Sequence, residues 1–240
     1  MKLDTRLETA ASFVREGAVF ADIGTDHAYL PIALLLRGQI RCAIAADIAS
    51  GPLQTAREHI ASCERDGVSL SDRIRLMQTD GLIGLDTAEP AVTDIAVCGM
   101  GGELIAEIVA QASFVRNREI RLILQPMTMQ AHLRRSLAEM GFFVETERLC
   151  KTANDKIYSV ICCHYAPENV HTPTETEEIL GRELLRDAQD FVLRSEYLHQ
   201  KKQSYLRIIE GKRSAGHSCD VEKRILAEIE SHLSKDGMPL

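Results

Sequence analysis

Two hydrophobic patterns of different period alternate along the first two thirds of the chain. One consists of short apolar, β-branched runs that are bounded by turn residues and are too short for helices: Ala18–Gly24, Cys42–Ile48, Ile74–Asp80, Thr93–Gly99 and Arg121–Met127. Their nearly continuous apolar character is typical of strands that are buried on both faces. The pattern therefore predicts five strands of one parallel sheet.

The second pattern consists of apolar residues at helical spacing, in stripes that lie before, between and after those runs. The stripes extend from Leu3 to Val14, Leu30 to Arg37, Ser50 to Ile60, Leu104 to Val109 and Leu133 to Met140. Glycines follow the first, second and fifth stripes, as is common where helices end. Alternating strands and helices predict an open α/β sheet with helices on both faces.

A different pattern begins at Phe142. Two strand-like runs, Phe142–Lys151 and Ile157–Tyr165, are joined by a short polar turn with no room for a helix, so they predict an antiparallel hairpin. With the preceding strands they form a seven-stranded, doubly wound, Rossmann-like α/β sheet whose last strand is antiparallel. This arrangement resembles class I methyltransferases, whereas a dinucleotide-binding dehydrogenase would continue with another helix.

A polar stretch with two prolines, residues 166–173, predicts a boundary between a domain of residues 1–166 and a helical segment of residues 167–240. In that segment apolar residues recur every seven positions, as in a coiled-coil-like seam; they are Leu184, Phe191, Leu198 and Tyr205. After a break at residues 214–218, a second stripe is formed by Val221, Ile225, Ile229 and Leu233. Two helices joined by a short loop predict an antiparallel helical hairpin.

Composition and cysteine usage favour a cytoplasmic protein. Of the 240 residues, 45% are hydrophobic and 26% are charged, as in ordinary globular domains. No apolar run approaches the length that spans a bilayer, and residues 2–6 lack the apolar core of a secretory signal. None of the seven cysteines has Cys-x-x-Cys spacing, so we expect reduced thiols in the cytoplasm and no membrane association.

One short run, Cys162-Cys163-His164, invites interpretation as a metal site. Adjacent residues of a strand face opposite sides of the sheet, so the two thiols do not easily share an ion. We therefore expect no metal site there.

The formal net charge of −7 argues against a nucleic-acid partner unless the charge is unevenly distributed. It is uneven, because residues 194–213 contain six basic and two acidic side chains. Lys201, Lys202 and Arg207 of this stretch are candidate contacts to the phosphates of an RNA substrate. The alternative is an ordinary solvated helix face.

Ligands of open α/β sheets bind beyond the carboxyl ends of the strands, so the loops that follow the strands form the candidate site. The first loop contributes Asp22, Gly24, Thr25, Asp26, His27 and Tyr29. Asp26 and His27 stand where a pyrophosphate-binding loop would have glycine. A carboxylate there would repel a pyrophosphate and attract the cationic sulfonium and ammonium groups of S-adenosylmethionine, which favours that cofactor over NAD. The alternatives are helix N-capping for Asp26, and capping or a core hydrogen bond for His27.

Acidic residues follow the second and third strands. Asp47, with Ile48 beside it, is placed to bind ribose hydroxyls of the cofactor. Asp80 is placed to accept a hydrogen bond from an adenine amino group, and Gly81 provides a tight turn. These four residues are candidate cofactor contacts.

The fourth and fifth strands end in a glycine-rich loop and a proline. Gly99, Met100 and Gly101 are candidate cofactor contacts, because closely spaced glycines at a strand end indicate backbone packed against a ligand. Gln125 and Pro126 are candidate substrate contacts. Successive strand ends therefore point to a single crevice.

These segments resemble the bacterial tRNA (adenine-22, N1)-methyltransferase family. The resemblance rests on Arg6-Leu7, ADIGTDHAYLPI (21–32), AIAADIASGP (43–52), DGL (80–82), GMGGELIAEI (99–108) and LILQP (122–126). It implies S-adenosylmethionine as methyl donor, tRNA as partner, Arg6 as part of the cofactor site and a C-terminal helical hairpin. Two positions differ from the family's pattern: Met127 stands where Asn is usual, and Asp47 where Glu is usual.

The reaction that the resemblance implies needs no strong base, because adenine N1 already carries a lone pair. Positioning and desolvation can supply most of the catalysis. Asp26 is the candidate that stabilises the cationic product, and His27 or Tyr29 is the candidate that orients or stacks on the base. A base that is paired or stacked in tRNA must first be exposed.

Three other functions stay open. They are methylation of a different substrate, a non-catalytic RNA-binding or scaffold role with a relic cofactor site, and, as the least favoured, an NAD oxidoreductase, for which no second domain supplies catalytic residues. The sequence leaves monomer and homodimer open.

Overall fold

The computed structural model describes residues 2–65, 67, 69–186 and 190–235. Its strands are β1 (Ala18–Ile23), β2 (Ile40–Asp47), β3 (Ile74–Gln78), β4 (Asp94–Gly101), β5 (Arg121–Thr128), β6 (Phe142–Lys151) and β7 (Ile157–Tyr165). Its helices are α1 (Thr5–Ala11), α2 (Tyr29–Leu36), α3 (Ser50–Arg65), α4 (Gly102–Gln111), α5 (Gln130–Glu139), α6 (Glu175–Leu180), α7 (Arg182–Arg186), α8 (Phe191–Ser214) and α9 (Asp220–Lys235). Each strand overlaps a predicted one, and β6 and β7 have the predicted bounds.

The seven strands form one sheet in the order β3-β2-β1-β4-β5-β7-β6. Strands β1 to β5 are parallel, and β7 lies antiparallel between β5 and β6. The chain steps outward from β1 to β3 and then returns to the other side of β1 for β4. A topological switch point therefore lies between β1 and β4, where open sheets bind ligands. The predicted seven-stranded, doubly wound fold is confirmed.

Apolar side chains cover both faces of the sheet, which explains why its strands are continuous hydrophobic runs. Phe20 packs in the layer of α1, α2 and α3, while its neighbours Val19 and Ala21 pack in the layer of α4 and α5. The same alternation places Cys162 and Cys163 in opposite layers, as strand geometry predicts. Both thiols therefore act as small apolar groups of the core.

Helix α1 is shorter than the stripe from Leu3 to Val14 predicts. The Asp4 carboxylate accepts a hydrogen bond from the backbone N–H of Leu7 and caps the start of the helix. Leu3 and Val14 are buried although they lie outside the helix. The stripe identifies the buried residues correctly, but the cap decides where the helix begins.

Helices α8 and α9 form the predicted antiparallel hairpin. The ion pairs Lys202–Glu230, at 3.0 Å, and Lys212–Glu222, at 2.5 Å, join the two helices in opposite chain directions. Helix α6, with Thr174 as N-cap and Glu177 completing a capping box, adds a further element ahead of the hairpin.

The coiled-coil-like character predicted for this hairpin stays a prediction. Three residues of the predicted seam, Leu184, Leu198 and Tyr205, lie in or against one apolar cluster. Leu184 lies in the separate helix α7, and Phe191 and Val192 are exposed at the start of α8. Leu198 is fully buried, but in a cluster that also draws side chains from α6, α7, α9 and the β6–β7 hairpin. Because α8 packs against several elements in different directions, its apolar residues do not keep to a single seam with a period of seven.

A buried ion pair links the C-terminal helices to the sheet. Arg134 of α5 donates to Glu147 of β6 at 2.6 Å and to the Glu178 carbonyl oxygen of α6 at 2.6 Å. The Arg134 and Glu147 side chains are both almost fully buried. Helices α6 and α7 thus pack directly on α5 and β6, and the division into residues 1–166 and 167–240 stays a prediction.

Candidate active site

A cavity of about 380 Å³ opens at the carboxyl ends of β1 and β4, at the switch point. Six of the predicted site residues line it: Arg6, Asp22, Gly24, Asp26, Tyr29 and Gly99. Parallel strands bring their carboxyl ends to the same edge of a sheet, which is why residues from separate loops meet there.

The cavity is also lined by residues that the sequence did not single out. They are Asp4 and Leu7 of the α1 region, Leu30 of α2 and Cys98 of β4. No motif marked Asp4 as a cavity residue, because an N-cap position indicates only where a helix begins. Burial raises the pKa of the Cys98 thiol, so Cys98 contributes an unreactive apolar wall.

Asp22 is a buried carboxyl group at the base of the cavity. Its Oδ2 accepts a hydrogen bond of 2.7 Å from Thr25 Oγ1, and Thr25 itself is buried. Burial raises the pKa of Asp22 to about 7, and the nearby Asp47 carboxylate acts in the same direction. A positive charge beside Asp22 would favour its ionised form. Thr25 therefore orients the carboxylate and does not itself line the cavity.

The segment from Asp26 to Tyr29 holds a strained turn. His27 and Ala28 have φ angles of 63° and 54°, which non-glycine residues adopt only where the surrounding structure enforces them. Helix α2 begins after Ala28, and no side chain caps it. The capping alternatives for Asp26 and His27 are therefore wrong. The Asp26 carboxylate is largely exposed and lies 3.0 Å from His27 Nε2.

Three rings form a group beside this turn. The rings of His27 and Tyr29 stack at 5.2 Å, and His59 of α3 meets Tyr29 edge-on at 4.8 Å. His59 Nδ1 also donates a hydrogen bond of 2.8 Å to the His27 carbonyl oxygen. Nothing in the helical pattern around His59 indicated this contact. Tyr29 remains 41% exposed, so part of its ring faces solvent at the cavity.

Close packing joins the first and fourth loops. Gly24 has φ +69°, and a Cβ at this position would collide with Cε of Met100. A Cβ on Gly102 would likewise collide with the Met129 carbonyl oxygen. Met100 therefore supports the β1 loop, while Gly101 is the N-cap of α4.

Gln125 ties the fifth strand to the cavity without lining it. Its Oε1 accepts from the Gly99 backbone N–H at 3.1 Å and from Arg6 at 3.3 Å, while its Nε2 donates to the Pro126 carbonyl oxygen at 3.1 Å. Gln125 and Pro126 are buried, so the predicted direct contact with substrate does not fit their placement. Gln125 instead positions Arg6, whose guanidinium also donates to Met127 Sδ at 3.3 Å.

The remaining predicted cofactor residues lie along the neighbouring ends of β2 and β3. The backbone N–H of Thr25 donates to the Ala46 carbonyl oxygen, and that of Thr79 to the Asp47 carbonyl oxygen, so the three loops adjoin. Asp47 Oδ1 accepts from the Ala49 backbone N–H at 2.7 Å, which fixes that carboxylate.

Three further predicted residues extend this edge. Ile48 and Asp80 are exposed and Gly81 is half-buried. These three residues, like Asp47, adjoin the cavity of the first and fourth loops but do not line it. A cofactor role for them stays a prediction.

The comparison with known sequences decides the family. Residues 3–161 match the methyltransferase domain family. The chain belongs to that family. In a Bacillus subtilis (strain 168) tRNA (adenine(22)-N(1))-methyltransferase, 161 residues align at 36% identity, which is 67% of this chain and 64% of that protein. The chain thus matches slightly less than two thirds of the length of this relative.

Solved structures match over almost the whole chain. A candidate tRNA (m1A22) methyltransferase of Streptococcus pneumoniae, in complex with S-adenosyl-L-methionine, matches with a TM-score of 0.81 and 28% identity over 97% of this chain and 100% of that one. The m1A22 tRNA methyltransferase of B. subtilis matches with a TM-score of 0.76 and 28% identity over 98% and 97% of the two chains. The predicted resemblance to the tRNA (adenine-22, N1)-methyltransferase family is confirmed.

The three basic residues predicted to contact RNA lie on helix α8 of this methyltransferase-family protein, and their surroundings differ. Lys202 is paired with Glu230. Lys201 is mostly buried, with its ammonium 5.2 Å from the centre of the Tyr197 ring. Arg207 is exposed. Lys202 is therefore neutralised within the hairpin, while Lys201 and Arg207 stay candidates for RNA contacts.

Among the residues that the structure describes, no three His, Cys, Asp or Glu side chains come together where they could hold a metal ion. None of the described helices is both long and apolar enough to cross a membrane.

Proposed function

We propose that this protein transfers a methyl group from S-adenosylmethionine to N1 of an adenine in tRNA. The observation that carries the proposal is the cavity at the β1–β4 switch point, where the carboxylates of Asp22 and Asp26 meet the exposed ring of Tyr29. The cavity offers negative charge for a cationic donor and an aromatic surface for a base. The relatives from B. subtilis and S. pneumoniae support this assignment.

The carboxylates fit the cofactor's chemistry. S-adenosylmethionine carries a positive sulfonium and an ammonium group, and when bound it supplies the electrophilic methyl group. Asp22 is buried and its pKa is raised to about 7, so a cation beside it relieves the cost of ionising it. Asp47, fixed by the Ala49 N–H, is placed to accept from ribose hydroxyls.

The chain's own residues position the base and stabilise charge. Adenine N1 has a lone pair, so no side chain needs to remove a proton before the transfer. Tyr29 provides the stacking surface, and His27 and His59 hold its ring on two sides. The methylated base is cationic, and the Asp26 carboxylate at the cavity edge stabilises that charge.

The substrate assignment to tRNA, and to position 22, rests on the relatives. The target base must leave its stack in the RNA to reach Tyr29, because Tyr29 lines the cavity and a stacked base does not reach into it. We propose that Lys201 and Arg207 contact the RNA. We also propose that the protein acts in the cytoplasm, as a monomer or a homodimer, and that it does not associate with a membrane.

The test is to incubate the protein with S-adenosylmethionine and bulk tRNA from a strain that lacks this modification, and then to map the methylated nucleosides. We expect 1-methyladenosine at position 22 of the tRNA, in samples with active protein only. Methyl transfer to another nucleoside or to protein would favour a different substrate, which Met127 keeps open. Binding of tRNA without binding of S-adenosylmethionine would favour a non-catalytic role.

A further inference from the structure

A second cavity, of about 650 Å³, lies between α8, the N-terminus of α5 and the first residues of β7. Gln130, Ser159, Lys201, Ser204 and Arg207 are among the polar side chains that line it. We call this cavity the hairpin cleft. Most of its lining residues are polar, and they include side chains that donate hydrogen bonds to an anion. The Glu196 carboxylate also lines the cleft, and it is paired with Lys151.

The hairpin cleft opens on the same edge of the sheet as the active site. Strand β7 runs antiparallel to β5, with Ile161 opposite Leu124. The first residues of β7 therefore lie beside the carboxyl end of β5, where Gln125 holds Arg6 and Gly99. A strand of RNA with its target base at Tyr29 would pass along this edge toward α8.

Lys201 is the unusual charge in the cleft. Its ammonium lies over the Tyr197 ring, and no carboxylate in the part of the chain that the structure describes lies within ion-pair distance of it. Burial, aided by the positive charge of Arg134, lowers the pKa of Lys201 to about 8, and Glu147 opposes the shift. A mostly buried cation without an ion-pair partner is costly, and an anionic ligand would remove that cost.

The neighbouring lysines are neutralised within the protein. Lys202 pairs with Glu230, Lys212 with Glu222 and Lys151 with Glu196. The cleft therefore concentrates the available positive charge of this region at Lys201 and Arg207, although the protein as a whole is acidic. Basic residues grouped at one place on an acidic protein are the electrostatic feature expected of a phosphate site.

We propose that the hairpin cleft binds a phosphodiester of the RNA backbone, with Lys201 and Arg207 as the charged contacts and Ser204 and Gln130 as hydrogen-bond donors. This inference rests on the proposed function, because it takes RNA as the substrate. It differs from a general basic face, since it assigns opposite roles to two adjacent lysines.

The experiment compares Lys201→Gln with Lys202→Gln in the full-length protein. We expect Lys201→Gln to weaken tRNA binding about tenfold near 0.1 M salt and to reduce the slope of log affinity against log salt by about 1. Arg207→Gln should reduce the slope similarly. Lys202→Gln should leave the slope unchanged, and calorimetry should show unchanged S-adenosylmethionine affinity for all three variants.

A second variant separates charge from folding. Lys201→Arg keeps the positive charge and should retain the salt slope of the wild type, whereas a purely structural role for Lys201 would make Lys201→Arg and Lys201→Gln behave alike. Equal slopes for Lys201→Gln and the wild type, with tRNA methylation intact, would overturn the cleft assignment alone. A wild-type protein that neither binds nor methylates tRNA would overturn the proposed function and the cleft assignment together.

Discussion

His59 Nδ1 lies 2.8 Å from the carbonyl oxygen of His27, across 32 positions of sequence. A carbonyl oxygen only accepts hydrogen bonds, so His59 carries its proton on Nδ1 in this contact. The bond holds the turn in which His27 and Ala28 have positive φ angles. It therefore supports the turn that places Tyr29 at the cavity.

Substitutions at His59 should separate this bond from the ring contact. We expect His59→Ala to lower kcat about fivefold, because one hydrogen bond contributes about 1 kcal/mol. His59→Asn keeps a donor near the Nδ1 position and should restore most of the loss, whereas His59→Phe keeps only the ring and should not. Steady-state methyl transfer to tRNA measures these rates.

The exposed residue His217, in the loop after α8, provides the matched control for His59. His217→Ala should leave kcat unchanged. Full activity of His59→Ala would mean that the turn holds its shape without the bond.

Asp26→Asn tests the charge at the cavity edge. The substitution keeps the shape of the side chain and removes its charge, so we expect turnover to fall at least about tenfold with an unchanged melting temperature. Asp86→Asn, at another exposed carboxylate outside the cavity, serves as the control. Turnover near that of the wild type at saturating cofactor and tRNA would remove Asp26 from the chemistry.

Asp47→Ala tests the predicted ribose contact. We expect the binding free energy of S-adenosylmethionine to become less favourable by about 1.5–3 kcal/mol, the range for a hydrogen bond to a charged group. Isothermal titration calorimetry measures the change, with Asp72→Ala as a control at an exposed turn. Unchanged affinity would exclude Asp47 from the cofactor site.

The raised pKa of Asp22 predicts how stability changes with pH. The folded protein holds the Asp22 proton up to about pH 7, against a usual value of 3.8. The folded state therefore binds more protons between these values, so the Asp22 contribution to stability is complete below about pH 4 and is lost as pH rises through about 7. As pH rises through this range, the melting temperature of Asp22→Asn should therefore increase relative to that of the wild type.

The same group should control cofactor affinity in the opposite direction. The ionised carboxylate attracts the cationic donor, so the affinity of the wild type for S-adenosylmethionine should rise as pH increases through about 7. Calorimetry of wild type and Asp22→Asn between pH 5 and 8 tests both effects. A constant difference in melting temperature across that range would contradict the raised pKa.

The ion pair between Arg134 and Glu147 should make the C-terminal helices necessary for a stable sheet domain. Arg134→Met leaves Glu147 buried without its partner and should cost about 3–5 kcal/mol of unfolding free energy in urea. The double substitution Arg134→Met/Glu147→Leu should recover much of that loss. Deletion of the chain after Tyr165 should be destabilising for the same reason, because it removes the α6 carbonyl oxygens that accept from Arg134. Equal stability of the single and double variants would contradict this account.

Much of the fold was determined by local sequence patterns. Strands buried on both faces must be nearly continuous apolar runs. Each parallel strand must be followed by a crossover that returns the chain to the edge of the sheet where the strands begin. The runs around Phe20 and Ile95 could therefore be recognised without tertiary information, and so could the loops that follow them. Asp22, Asp26 and Gly99 line one cavity because they lie at or just beyond the carboxyl ends of parallel strands.

Contacts between distant residues were decided only by the tertiary structure. His59 meets His27 because α3 packs beside the β1 loop, and Lys201 differs from Lys202 because one faces the sheet domain and the other faces Glu230 of α9. Adjacent residues of a helix point about 100° apart, so their partners depend on which elements surround the helix. The same dependence limits what a period of seven predicts for α8, since that period describes packing against one partner and α8 has several.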